Sequence, residues 1–270
     1  MKNLLLSLWL VSLIACSTAE PGSAPTLDLT RFRMIDLTHS YNAATVYWPT
    51  STDRFELKQL SFGPSPGGWF YAANSFSTPE HGGTHLDAPI HFAQDRHFAD
   101  QIPLEQLIAP AVVIDVSAAA AADPDYRLSS QDVLDFEQQH GRIEPGTIVL
   151  LRTDWSRRWP DRKTYLGDDT PGDASHLHFP SFGEDAARVL VEERQVAALG
   201  ADVASIDYGA SQDFPVHRVA NGANVPGFEN LTNLQELPPR GAFVIALPMK
   251  IEHGSGAPLR AVALVPRGAQ

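Results

Sequence analysis

Residues 77–92 read STPEHGGTHLDAPIHF, and within eleven positions this stretch holds His81, His85, Asp87 and His91. Neither a helical face nor strand alternation calls for that clustering. Gly82 and Gly83 give the backbone access to conformations that other residues avoid. The spacing H-x-x-x-H-x-D can therefore gather two imidazoles and a carboxylate around one cation. Pro89 argues against a regular helix through the segment, which separates it from the helical H-E-x-x-H arrangement of metalloproteases. Neutral imidazole and carboxylate suit Zn²⁺, Mn²⁺ or Fe²⁺. Three protein ligands leave positions open for water or substrate, as a catalytic centre requires. Taken singly, each histidine reads as an ordinary hydrogen-bonded residue; the cluster is what argues for a metal.

Around this loop lies a chain of 270 residues, 43% hydrophobic and 19% charged, enough for one large globular domain with its own core. The net charge of −12 and the scattered basic residues argue against a nucleic-acid surface or a polybasic membrane patch. A small-molecule substrate is the better expectation. The 21 prolines and 19 glycines are spread along the chain and suggest many turns between short elements.

The opening MKNLLLSLWLVSLIAC stands apart. Lys2 precedes an apolar run from Leu4 to Ala15 that is too short for a spanning helix and suits a signal peptide over residues 1–15. Leu13-Ile14-Ala15-Cys16 resembles the lipobox of bacterial lipoprotein precursors, and Cys16 is the only cysteine in the sequence. The expectation is an exported lipoprotein, lipidated at Cys16 and facing the periplasm or the cell surface, its only membrane contact being that anchor. A plain secretory signal is the alternative. Residues 16–30 then form a polar tether, and the folded domain spans 31–270.

Within the domain, short branched runs at 32–39, 111–116, 147–153, 197–203, 242–248 and 261–266 read as strands. SSQDVLDFEQQHG reads as a helix opened by Ser129 or Ser130 and closed by Gly141. GEDAARVLVEER reads as a second helix ending at Arg194. Strands outnumber helices without strict alternation. The fold class is therefore α/β in the mixed α+β sense, a single domain on mixed sheets in preference to a doubly wound parallel sheet.

HGGTHLDAPIHF resembles the H-x-G-T-H-x-D-x-P-x-H signature of the cyclase family of metal-dependent hydrolases, which includes kynurenine formamidases, isatin hydrolases and a dienelactone hydrolase. His81, Gly83, Thr84, His85, Asp87, Pro89 and His91 fill its fixed positions. HRVANGANVPGFENL resembles a second family block, with His217 twelve residues before Glu229 and Asn-Leu following. The resemblance implies a swivelling β/β/α fold, its mixed sheets forming a barrel-like core flanked by helices. It implies that His81, His85 and Asp87 bind one metal and that Asp87 bridges to a second held by His217, with Glu229 touching one or both. One or two ions are expected, Zn²⁺ first and Mn²⁺ as the alternative.

His91 is the implied acid/base for hydrolysis of a C–N bond in a small aromatic amide or lactam, with metal-activated water attacking the carbonyl. Trp48 and Trp69 are the candidate substrate contacts. His39 either lies near the site or caps a strand end, and His176 and His178 either approach it or decorate a loop. The G-x-S-x-G match at Gly63-Pro64-Ser65-Pro66-Gly67 has a proline on each side of the serine and no helical run after it, so it does not make a strand-to-helix nucleophile elbow, and no nucleotide-binding glycine motif is present. A lactone hydrolase, or a lipoprotein that binds an aromatic ligand or metal without turnover, are the rival expectations. The family also implies a homo-oligomer.

Overall fold

The apolar runs become staves of a closed ring. The computed structural model describes residues 28–268; the signal peptide, Cys16 and most of the tether lie outside the described residues. Arg31–Gln270 forms one compact unit. Its strands are β1 (Phe32–Asp36), β2 (Glu56–Pro64), β3 (Phe70–Ser77), β4 (His85–Asp87), β5 (Ile108–Asp115), β6 (Arg127–Leu128), β7 (Ile148–Arg152), β8 (Ser181–Phe182), β9 (Ala198–Ala201), β10 (Gly227–Glu229), β11 (Arg240–Pro248) and β12 (Gly256–Pro266).

The order β12-β11-β5-β7-β9-β10-β4 closes back onto β12, giving a seven-stranded barrel with β1 appended along β12. Pairing is parallel from β5 through β7 and β9 to β10 and antiparallel elsewhere in the ring. This is the mixed, barrel-like, helix-flanked architecture expected from the sequence. Strand alternation divides the core in two. Inward side chains such as Val113, Leu150, Phe228 and Ala261 fill the barrel. Their neighbours Val112, Ile114, Val149 and Leu151 point outward, where helices cover them.

The helix Ser130–His140 has the expected cap: Ser129 accepts from the Asp132 amide, and Asp132 accepts from the Ser129 amide. The second expected helix is α-helical only over Glu184–Arg188 and widens into a π turn over Val189–Glu193. Beyond that turn Arg194 is buried and forks onto Glu137 at 2.7 and 2.9 Å. Among the elements that go beyond the sequence expectation are the β2–β3 hairpin, the short pair β4 and β10, and the helix Pro215–Gly222.

Candidate metal centre and active site

Strand β4 is where the opening motif meets the barrel. It is three residues long, and it pairs with β10 on one side and β12 on the other, so it closes the ring. Alternation sends Leu86 into the barrel and turns His85 and Asp87 together to the outer face. Glu229 sits directly opposite His85 in the register, on the same outer face. The glycines make the approach possible. Gly82 has φ +143° and a Cβ there would fall 2.1 Å from the Tyr47 ring, while Gly83 has φ +61° against the Tyr41 ring. The fifth member, His217, comes from the first turn of the helix Pro215–Gly222, laid over this face.

These side chains form two triads that share Asp87. His81, His85 and Asp87 make one, Asp87, His217 and Glu229 the other, and the donor atoms within each lie within 4.8 Å of one another. Around Asp87 the distances are 2.6 Å to His81 Nδ1, 3.1 Å to His85 Nε2 and 3.0 Å to His217 Nε2. Glu229 lies 3.5 Å from His85 Nε2 and 3.3 Å from His217 Nε2. All five expected ligands are thus gathered in one place, and all but His81 are buried.

The far side of each imidazole is also engaged. His85 Nδ1 faces the Gly83 carbonyl at 3.0 Å, and His217 Nδ1 faces Asp207 at 2.7 Å. His81 Nε2 lies 2.9 Å from Ser255 Oγ, which donates to Glu80 at 2.6 Å. An acceptor behind one ring nitrogen fixes the tautomer and leaves a lone pair on the other, directed inward. Three inward nitrogens and two carboxylates suit a borderline divalent cation.

Electrostatics agree with that fit. Burial pushes the Glu229 carboxyl up, and the charge of Asp87 pushes it further. Asp87 goes the other way: burial opposes its charge, but His85 and His81 hold it well below the usual carboxylate range. His85 is likewise pushed up to about 9 despite its burial, because Asp87 and Glu229 face it. Two buried carboxylates this close repel, and a cation among them offsets the repulsion.

Asp207 went unread in the sequence. It accepts from the amides of Val216 and His217 as well as facing the His217 ring, so it fixes the helix start and the imidazole together. In the Asp207→Asn chain the orienting charge is gone. Affinity for Zn²⁺ is expected to fall about 10- to 100-fold, read by competition with a chromogenic chelator; unchanged affinity would remove Asp207 from this role.

The cluster floors a cavity of about 260 Å³ whose wall is largely apolar. His91 enters it from the turn after β4, stacked on His81 with ring centroids 3.9 Å apart. Burial holds His91 neutral, down to about 3, with Asp87 opposing. Trp48 lines the cavity and packs edge-on against Phe179, and Phe92 and Phe214, which the sequence did not single out, complete the wall.

Trp69 lies elsewhere. The hairpin register carries it to the turn between β2 and β3, where it is 65% exposed and outside the cavity lining. The expected aromatic wall within one chain therefore includes Trp48 and not Trp69. His39 stacks on Trp159 at 4.3 Å and does not line the cavity. His176 is exposed, and exposed His178 pairs with Asp125 at 2.9 Å, which places both on a surface loop.

Comparison with known proteins agrees with this arrangement. The family described as "Putative cyclase" matches residues 35–208. An isatin hydrolase from Roseibium aggregatum is 37% identical over 225 residues, covering 80% of this chain and 83% of that protein. A kynurenine formamidase from Salinibacter ruber is 28% identical over 85% of this chain and 96% of its own. The structure of isatin hydrolase A from Ralstonia solanacearum superposes with a TM-score of 0.81 at 36% identity, covering 91% of this chain and all of that one. With the motif loop at the barrel seam and similarity along most of its length, the chain belongs to the cyclase family.

Proposed function

We propose that this pocket hydrolyses the C–N bond of a small aromatic amide or cyclic amide, of the arylformamide or isatin type. The class is that of its relatives, amidohydrolases acting on C–N bonds outside peptides. One observation supports the reading most: a five-donor cluster, an unligated histidine and an aromatic wall share a single small cavity. His81, His85, Asp87, His217 and Glu229 would hold a divalent cation, with Zn²⁺ or Mn²⁺ the best matches, which when bound would lower the pKa of water towards ~7 and polarise a carbonyl. Each triad offers three donors to an ion, and Asp87 belongs to both.

The side chains supply the rest. Among the described residues His91 has no hydrogen-bond partner for its ring, so a nitrogen is available to take a proton from the attacking water and return it to the departing nitrogen. Stacking on His81 holds its plane. Trp48, Phe92 and Phe214 give a flat substrate apolar faces to lie against and keep bulk water from the reacting carbonyl. Steady-state assays of the Zn²⁺- and Mn²⁺-loaded chain on isatin, N-formylkynurenine and a lactone panel test the reading. Turnover of an aromatic amide or lactam is expected; preference for lactones, or inertness to the whole panel, overturns it.

Residues 1–16 support a further part of the proposal, export followed by lipidation at Cys16. Expressed in a bacterial host, the full chain is expected to enter the membrane fraction and the Cys16→Ser chain to leave it. Equal distribution of the two chains would refute the anchor.

A further inference from the structure

Strand β10 ends on Glu229, and the next residue, Asn230, turns the chain with φ +54°. Asparagine tolerates that left-handed conformation better than most side chains do. The turn lays Asn230, which is buried, against the glycine loop that precedes β4. Its side-chain Nδ2 donates to the Gly83 carbonyl at 2.8 Å, and its own carbonyl accepts from Thr84 Oγ1 at 2.6 Å. Its backbone amide donates to the Val203 carbonyl at 2.8 Å, which ties the turn to the chain just beyond β9.

The Gly83 carbonyl therefore serves two donors. His85 Nδ1 faces it at 3.0 Å, and the Asn230 side chain donates to it as well. A carbonyl oxygen has two lone pairs, enough for both. The Asn230 amide can sit only one way round. Because the carbonyl only accepts, the amide nitrogen must face it, and Oδ1 then faces the Tyr165 hydroxyl, which donates at 2.9 Å. Tyr165 is fully buried in the short helix Arg162–Leu166, and its carbonyl accepts from the Trp155 indole at 2.7 Å. One line of hydrogen bonds thus joins the Tyr165 hydroxyl, the Asn230 amide, the Gly83 carbonyl and the His85 ring. The segment carrying Tyr165 reaches the loop a second time: Trp159 stacks on His39, whose amide donates to Thr84 Oγ1 at 2.9 Å.

We propose that Asn230 and Tyr165 are positioning residues of the metal centre, which set the plane of the His85 ring through the Gly83 carbonyl. This role rests on the metal-dependent reading given above. An imidazole that offers Nε2 to an ion is oriented by the group that accepts from Nδ1, and that acceptor holds the ring only as firmly as it is itself held. Gly83 is a loose anchor on its own, since glycine at φ +61° has the widest choice of backbone conformations of any residue. The Asn230 amide supplies the missing restraint. Tyr165 keeps that amide from swinging away.

The full chain loaded with Co²⁺, whose visible absorption reports the geometry of its ligands, tests the proposal beside competition for Zn²⁺ with a chromogenic chelator. Asn230→Gly removes the amide side chain but accepts φ +54° without strain, so the turn and its backbone bonds survive. Its Zn²⁺ affinity is expected to fall about 10- to 100-fold and its Co²⁺ bands to shift, with far-UV circular dichroism unchanged. Tyr165→Phe keeps the ring and should shift the bands the same way by less. Added to Asn230→Gly it should change nothing further, because its effect passes through that amide. Tyr165→Phe alone carries the test if Asn230→Gly misfolds. Wild-type bands and Zn²⁺ affinity in the folded variants overturn the proposal, and a loss confined to kcat would assign the Asn230 amide to the substrate instead. A wild-type chain that binds neither ion overturns the metal centre itself, and this role with it.

Discussion

Asp87→Asn is expected to lose divalent metal from both halves of the cluster at once, and turnover with it by about 10²-fold or more. The physical reason is the sharing: Asp87 belongs to both triads, one oxygen facing His81 and His85 and the other facing His217. Asparagine has nearly the same shape and keeps one acceptor oxygen, but it removes the negative charge that offsets the cation. His81→Ala and Glu229→Gln each disturb a single triad and should retain part of the bound metal. Elemental analysis after exhaustive dialysis, with circular dichroism as the control for folding, separates these cases. Wild-type metal content in a folded Asp87→Asn chain would show that the two triads do not share their ion through this carboxylate.

His91→Ala should divide binding from turnover in the opposite way. Its ring stacks on His81 but belongs to neither donor triad, so metal content is expected to match the wild type. Loss of a positioned acid/base typically costs about 10²- to 10⁴-fold in rate. The loss should appear in kcat with little change in KM, because the apolar wall of Trp48, Phe92 and Phe214 is untouched. His91→Gln, which keeps a polar group but no comparable basicity, should fall with it. A fully active His91→Ala chain would pass the proton work to another group. Loss of metal in that chain would make His91 a ligand.

Legibility in the sequence follows from how local each feature is. His81, His85 and Asp87 were readable because two glycines and a two-residue alternation bring them together within a single loop and strand. His217 and Glu229 lie far along the chain, and only the second family block connected them to the loop. Asp207 and Ser255 offered no comparable signal: each faces an imidazole that only the fold brings to it. Long branched strands such as β5 and β7 showed their apolar runs, whereas β4 and β10 are three residues each and partly polar. Trp69 precedes the motif by only twelve residues, but it sits in the hairpin turn and strand β3 carries the chain away from it before the motif begins.

The three-residue strand β4 has a last consequence. It is the latch of the ring, bonded to β10 and β12, and it also supplies two of the candidate metal donors from its outer face. An ion gripped there binds the folded state alone and so tightens the latch it hangs from. Anyone reshaping this pocket for a new substrate should leave its floor alone and work at the rim, where Trp48, Phe92 and Phe214 can change without springing the barrel open.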